Sequence, residues 1–336
     1  MNFVIVGTNF ISDTFLKAAL TTTNFTFYGL CSRKMTTATE FLKKYPEGII
    51  RQTKVFHSIE EVCADNLVDA TYIASPNHLH ASQAIQCLNS SIHVLGEKPS
   101  ASNSNELKQI ITAAKRNKCL YMEALMTTHL PNFRILQDHL PRIGKVRKFL
   151  GQYSQYSSRY EFYLKGNPPN WCLPEYANGA LVDLGIYPLS IISALWGKPT
   201  SVLASGIKLA SGVDGGGDLI LTYNLAENTK QAVISYSKIC NGDNISEFQG
   251  ELGRIEIEFV ALLKKITLIL NDGTKEIISK PFDDDFMKFE LLHFISLIEE
   301  GKTESQINSF QFSEQTMAVM DEARKQIQIF YPADEC

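Results

Sequence analysis

Lys98, Asp183 and Tyr187 are the side chains whose type and placement point to chemistry. Lys98 lies in Gly96-Glu97-Lys98-Pro99, directly after the apolar run 91–95 and shortly before a helix predicted from near Asn103. In an open α/β sheet, ligands sit outside the carboxyl ends of the strands, so a lysine at that seam would reach the crevice that holds a cofactor's reactive end. A solvated turn lysine is the plainer alternative, because short motifs match by chance. Asp183 and Tyr187 are spaced i, i+4 in the apolar stretch 181–196, which reads as a buried helix with both residues on one face. Gly185 and Pro188 are expected to bend it locally. A buried carboxylate needs a partner, so an Asp–Tyr hydrogen bond that supports the fold competes with a reactive role.

The elements that would position Lys98 come first in the chain. Residues 2–6 read as an apolar strand, 7–12 as a tight turn and 10–20 as a helix. In that context a G-x-G-x-x-G loop sets a pyrophosphate on a helix N-terminus, held by backbone N–H groups and the helix dipole. Only Gly7 of the three glycines is present; Asn9, which tolerates left-handed backbone, replaces the second, and the small Ser12 replaces the third. Gly7, Thr8, Asn9, Phe10 and Ile11 form the candidate phosphate loop. Strands at 26–31, 53–56, 69–74, 92–95 and 120–122 then alternate with helices at 36–45, 58–63, 79–89 and 103–117, the pattern of a doubly wound parallel α/β sheet.

Two further loops lie at strand ends. No acid occurs between Asp13 and Glu40, where an NAD site would carry one for the ribose 2′-hydroxyl. Ser32, Arg33 and Lys34 stand there instead and suit the 2′-phosphate of NADP, so NADP is the preferred cofactor and NAD the second choice. A solvated basic turn is the alternative. Ser75-Pro76-Asn77-His78-Leu79-His80 leaves the fourth strand on the crevice side. Pro76 fixes the exit, Asn77 is placed to cap the next helix and shape the nicotinamide pocket, and His80 reads as a packed or capping histidine.

Beyond Glu123 the periodicity changes. Strands are expected at 146–156, 201–209, 218–225, 231–239, 245–249, 254–259, 266–270 and 275–278, with Asn271-Asp272-Gly273 as a hairpin turn. This half therefore reads as an α+β domain with a mostly antiparallel sheet, closed by helices at 286–299, behind Asp283 to Asp285, and at 313–329. Two domains suit 336 residues: 1–122 for dinucleotide binding, and 123–336 for substrate binding and oligomerisation, its last helix able to pack back on the first.

Composition narrows the partners. With 32 basic and 36 acidic residues, a net charge of −4 and no basic block interleaved with aromatics, nucleic acid is not expected. The first apolar run, 3–6, is broken by Gly7 and lacks a basic leader, so no membrane role and a cytoplasmic location are expected. Seven scattered cysteines (31, 63, 87, 119, 172, 240 and 336) without a C-x-x-C pair read as reduced thiols. His78 and His80 have no cysteine pair nearby, so no metal site is expected.

The order and separation of these pieces resemble the Gfo/Idh/MocA oxidoreductase family along nearly the whole chain. The matched segments are the Gly7 loop, Ser75-Pro76-Asn77 with His80, Glu97-Lys98-Pro99, Glu123-Ala124 with Pro131, and Gly179 to Tyr187. Tyr187, where inositol dehydrogenase-like members have histidine, makes the chain look closer to the glucose–fructose oxidoreductase and dihydrodiol dehydrogenase branch. The resemblance implies a Rossmann domain and a C-terminal domain with an open-faced sheet, assembled as dimers or tetramers through that sheet. It also implies Glu97 and Lys98 beside the cofactor, Lys98 as a catalytic or substrate-orienting lysine, Asp183 contacting substrate or Lys98, and Tyr187 as acid/base. Thr128 and Cys172 stand where arginines are frequent in the family, which points to an unusual substrate pocket.

The implied reaction oxidises a carbinol of a sugar, polyol or diol, sending a hydride to nicotinamide and a proton to a base. Bringing a tyrosine from near 10 to about 7 takes roughly 4 kcal/mol of preferential stabilisation of its anion. Lys98 and the positive charge of oxidised nicotinamide are suited to supply it, with the roles of Tyr187 and Lys98 exchangeable. Tyr156, Arg159, Tyr160, Trp171 and Asn178 are candidates to line the substrate pocket. A non-catalytic nucleotide-binding sensor of the same fold is the alternative.

Overall fold

The computed structural model describes residues 1–224 and 228–335. The chain forms two compact units: Met1–Met126 with Asp284–Phe310, and Thr127–Asp283 with the residues from Gln311 onward. The division is thus not a single cut after residue 122. The helix Lys288–Glu299 joins the first unit because Leu291, Phe294 and Ile295 enter its core, with the Phe294 and Phe3 rings 6.0 Å apart. The last long helix, Phe310–Gln326, lies almost wholly in the segment that groups with the second unit.

The first unit holds six parallel strands: β1 (Asn2–Val6), β2 (Thr26–Cys31), β3 (Lys54–Phe56), β4 (Ala70–Ile73), β5 (His93–Glu97) and β6 (Tyr121–Ala124). Their order is β3-β2-β1-β4-β5-β6, so the direction of progression reverses between β1 and β4, where such sheets bind ligands. Every residue of β4 is buried and β1 is buried from Phe3 to Val6, as expected of strands covered on both faces. The helix Ser104–Asn117 after β5 starts where Asn103 accepts the Asn105 and Glu106 amides, both at 3.0 Å. The short helix Glu47–Gln52 packs Ile49 and Ile50 against the core, but six residues are too few for a helical period to show in the sequence.

The second unit holds β7 (Val146–Ser154), β8 (Ser201–Lys208), β9 (Asp214–Tyr223), β10 (Lys230–Ser237), β11 (Ile245–Gly250), β12 (Gly253–Glu258), β13 (Lys265–Leu270) and β14 (Lys275–Ile277). They form one sheet in the order β14-β13-β12-β11-β7-β10-β9-β8, antiparallel except where β7 meets β10. The Asn271-Asp272-Gly273 turn joins β13 to β14, with Gly273 at φ +92°. The expected strand 218–225 begins earlier, at Asp214, because Asp214, Gly216 and Gly217 pair with β8; Leu225 lies outside the described residues, as does Cys336.

The apolar stretch that carries Asp183 and Tyr187 packs on β7 and β10. A Cβ on Gly185 would stand 3.0 Å from the Tyr236 ring, and one on Gly151 would stand 2.7 Å from the Pro188 Cβ, so two glycines allow the close approach. The stretch is not one regular helix. Leu181–Gly185 is a π-turn and Ile186–Trp196 an α-helix, with the Ile186 N–H reaching back to the Leu181 carbonyl. Pro188 has no N–H to donate and its ring crowds the Leu184 carbonyl four residues back, which a widened turn relieves. The bend expected at Gly185 and Pro188 is therefore a change of helix type, and a plain i, i+4 face does not describe Asp183 and Tyr187.

Candidate functional site

In the first unit the candidate cofactor residues gather at the carboxyl ends of neighbouring strands. Gly7 leaves β1 at φ +114°, and a Cβ there would lie 2.6 Å from the Ala74 carbonyl oxygen, so glycine alone fits. Asn9 is not in left-handed backbone: at φ −85° it is the N-cap of helix Phe10–Ala19. Its side chain accepts the Ser12 N–H at 3.0 Å and donates to the Ala74 carbonyl at 2.8 Å. The asparagine thus ties the start of the helix to the end of β4, while Ser12 is fully buried as close packing requires. Thr8, Phe10 and Ile11 complete the loop, and helix-start N–H groups lack intrahelical acceptors, so they present donors to an anion. The first-turn acid Asp13 is already paired with Lys17 at 2.8 Å and Lys44 at 3.5 Å, so its charge does not oppose a phosphate.

Ser32 follows β2, its hydroxyl donating to the Lys34 carbonyl, while Arg33 and Lys34 are exposed. Arg33 is close enough to His78 to help burial lower that histidine's pKa, which brings the β2 and β4 exits to one region. Pro76 leads into a 3₁₀ turn, Asn77–Leu79, and the α-helix begins only at His80, so Asn77 opens that turn rather than capping the helix.

His80 is buried, and its ring nitrogens face the Ser75 carbonyl at 2.7 Å and the Pro99 carbonyl at 2.8 Å. It therefore clamps the β4 exit to the segment after β5; burial lowers its pKa. Lys98 follows β5 and precedes a cis bond to Pro99. Glu97 turns inward: it accepts from the Tyr72 hydroxyl and, at 3.1 Å, from the Lys98 N–H. Burial pushes the Glu97 pKa up to about 7, with Glu123 adding to the rise. Glu290, behind it, is raised well above the carboxylate range by burial and by Glu97. Glu123 accepts the Ser100 N–H at 2.9 Å, so buried carboxyls support the backbone on which Lys98 stands.

The candidate residues of the second unit surround a charged pair that sequence reasoning missed. Asp183 accepts from the ammonium of Lys238, one residue past β10, and that ammonium lies 4.7 Å from the centre of the Trp171 ring. Tyr187 packs on Tyr153, ring centres 5.7 Å apart. Trp171 lies 6.2 Å from Tyr160, which meets Tyr156 edge-on at 5.7 Å. Arg159 is exposed at the start of the helix Tyr160–Leu164, and the Asn178 carbonyl accepts from Tyr331 at 3.1 Å. Thr128 and Cys172 are both buried. Asp214 accepts the Leu181 N–H at 2.7 Å and so holds the start of the π-turn. Lys238 carries no signal in the sequence, because Ser235-Tyr236-Ser237-Lys238 reads as an ordinary strand and its exit.

The first unit's corner fits a dinucleotide phosphate: a cradle that a Cβ would fill, a capped helix start, and an exposed Arg33-Lys34 pair one strand away. Among the described residues no group of three or more His, Cys, Asp or Glu could hold a metal ion.

Residues 1–125 match the GFO/IDH/MocA profile, an oxidoreductase family with an NAD-binding Rossmann fold, and residues 141–256 match the GFO/IDH/MocA C-terminal domain. The chain is 42% identical over 335 residues to scyllo-inositol 2-dehydrogenase (NADP(+)) IolU of Bacillus subtilis strain 168, covering 100% of this chain and 99% of that one. It is 29% identical over 295 residues to trans-1,2-dihydrobenzene-1,2-diol dehydrogenase of Xenopus laevis, covering 83% and 84%. Among solved structures, the 3-ketoreductase KijD10 of Actinomadura kijaniata with NADP and TDP-benzene superposes with a TM-score of 0.82 at 21% identity, over 97% of each chain, an agreement of fold.

Proposed function

The chain belongs to the GFO/IDH/MocA family of NAD(P)-dependent oxidoreductases, and from that premise we propose that it interconverts a secondary carbinol and its ketone on a cyclic polyol or sugar, with NADP preferred over NAD. The observation that carries the reading is the His80 clamp, which fixes the β4 exit and the Lys98-Pro99 segment to one ring at 2.7 and 2.8 Å. It supports a lysine held at the mouth of a dinucleotide crevice. In the proposed assignment Gly7 to Ile11 hold the pyrophosphate, Ser32, Arg33 and Lys34 hold the 2′-phosphate, and Ser75, Pro76 and Asn77 border the nicotinamide. When bound, the cofactor supplies or accepts the hydride. Glu97, turned toward Tyr72, acts from behind as support for Lys98.

Lys98 polarises the substrate oxygen, and Tyr187 exchanges the proton at its hydroxyl oxygen. The tyrosine anion needs roughly 4 kcal/mol of stabilisation to form near neutrality, which positive charge in a partly dry site supplies. Asp183 receives a substrate hydroxyl. Tyr156, Arg159 and Trp171 are proposed to border the sugar face. We place the protein in the cytoplasm, without nucleic acid or membrane, as a homo-oligomer joined through the eight-stranded sheet. Exposed Leu203, Ile207, Ile245 and Ile277 on that sheet support the last point, and light scattering tests it.

The test is turnover followed by absorbance of the reduced cofactor, with scyllo-inositol, other cyclitols, sugars and dihydrodiols against NADP and NAD. Lys98→Met and Tyr187→Phe are expected to lower kcat by about 10²- to 10⁴-fold while NADPH still binds. No turnover with any substrate, or full turnover in both variants, overturns the reading.

A further inference from the structure

Lys238 is held by its backbone N–H, its carbonyl and its ammonium. Its backbone N–H donates to the Gly215 carbonyl, and its carbonyl accepts from the Ser157 N–H, both at 2.8 Å. This pins it between the start of β9 and the chain leaving β7. The ammonium sits over the Trp171 indole at 4.7 Å and donates to Asp183. Trp171 itself packs with Cys172, Leu209 and Val213, and its buried ring N–H has no hydrogen-bond partner among the described residues, so packing and the cation hold the ring.

The two members of the pair differ in exposure. The Lys238 side chain is 11% exposed and that of Asp183 33%. The ammonium is thus committed to the protein, whereas the carboxylate reaches solvent while Lys238 occupies its Oδ2 atom. A carboxylate has four lone-pair sites, and the Lys238 ammonium at Oδ2 takes up only part of that capacity. An ammonium aimed at one oxygen also fixes how the carboxylate is turned.

We propose that Lys238 is a positioning residue for substrate recognition, acting through Asp183 to turn its carboxylate toward a hydroxyl of the polyol. The proposal rests on the reading above that Asp183 meets substrate, and it assigns Lys238 no part in proton transfer. A neutral side chain at 238 removes the ammonium that is aimed at the Asp183 Oδ2 atom.

The experiment is a double-mutant cycle on the full chain with NADP and scyllo-inositol, or the best polyol of the panel. Lys238→Met is expected to raise KM about 30-fold while kcat changes no more than about threefold and the Kd for NADPH stays the same. Lys238→Arg, which keeps the charge and the stacking on Trp171, should bring KM back to within about fivefold of the parent. Asp183→Asn should raise KM similarly, and adding Lys238→Met to it should have little further effect, because the lysine acts only through the carboxylate. An unchanged KM in Lys238→Met, or multiplied effects in the double variant, overturns the proposal. Should the methionine variant fail to melt as a folded protein, Lys238→Gln replaces it in the cycle. The same cycle in a Tyr187→Phe background, read as scyllo-inositol binding to the NADPH complex by calorimetry, needs no turnover. Failure of the acid/base assignment and failure of this proposal are therefore distinguishable.

Discussion

The two candidate corners are held together in different ways. In the first unit, backbone does most of the positioning: the Gly7 N–H donates to the Cys31 carbonyl at 3.1 Å, the Ala74 N–H to Val6 at 2.9 Å and the Ser32 N–H to Phe56 at 2.9 Å. In the second, buried charge does it: Lys238 holds Asp183, Asp214 takes the Leu181 N–H, and Arg324 pairs with Asp334 at 2.7 Å. A loop fixed by its own backbone needs particular residues at one turn. A helix start fixed by charge needs partners from distant parts of the chain, here 55 residues apart for Asp183 and Lys238.

The largest effect should come from breaking the backbone-held corner. Gly7→Val puts a branched side chain at φ +114° and against the Ala74 carbonyl, and is expected to cost about 4 kcal/mol in strain and overlap. Urea unfolding measures it, and a parallel NADPH titration should show binding lost. A stable variant that binds normally would mean the corner is not set by backbone.

Each region also has a buried carboxyl behind it, and pH separates them. Burial raises the Glu97 pKa from 4.5 to about 7 and the Asp214 pKa from 3.8 to about 6. The folded chain therefore keeps protons that the unfolded chain has released. The associated stability is complete below the unfolded values and is lost as pH rises through the folded ones, about 3 kcal/mol for each group. Glu97, beside Tyr72, Lys98, Glu123 and Glu290, governs the window from 4.5 to about 7; Asp214, facing the Leu181 amide and Arg324, governs 3.8 to about 6. Glu97→Gln and Asp214→Asn should each flatten the slope of stability against pH in its own window. Parallel curves for the variants and the parent would show that these carboxyls do not carry the dependence.

The contrast also explains what was legible in the sequence. Each of the eight strands of the second unit overlaps a stretch of alternating or continuous apolar residues, and Gly7 announces its turn through a single residue type. Lys238 is invisible, since nothing near it in the chain marks it, and only the pairing of β10 with β7 and β9 carries it to Asp183. The π-turn was half visible: Pro188 signalled a disturbance, but how the helix absorbs it depends on packing against Tyr236. The helix expected at 286–299 reads as a closing element of the second half, yet it groups with the first unit, because sequence order hides which core a helix enters.

The smallest effect tests a residue for which composition alone was misleading. Asn9 stands where a phosphate loop often has glycine, and a left-handed conformation would explain the exchange; its φ of −85° and its side-chain hydrogen bonds to Ala74 and Ser12 rule that explanation out. If Asn9 were only a tolerated substitute, Asn9→Gly would be neutral or stabilising. As a cap that also joins β1's exit to the Ala74 carbonyl, it should instead lose about 1 kcal/mol, mostly from the carbonyl left without its donor, since glycine is itself an acceptable cap. Asn9→Asp separates the two functions: it keeps the acceptor for the Ser12 N–H, lacks the donor to Ala74, and sets a negative charge at the proposed phosphate position. Its stability should match that of Asn9→Gly to within about 0.5 kcal/mol at low salt, while its NADPH affinity falls further. Equal affinity for the two variants would place the phosphate elsewhere than at the start of helix Phe10–Ala19.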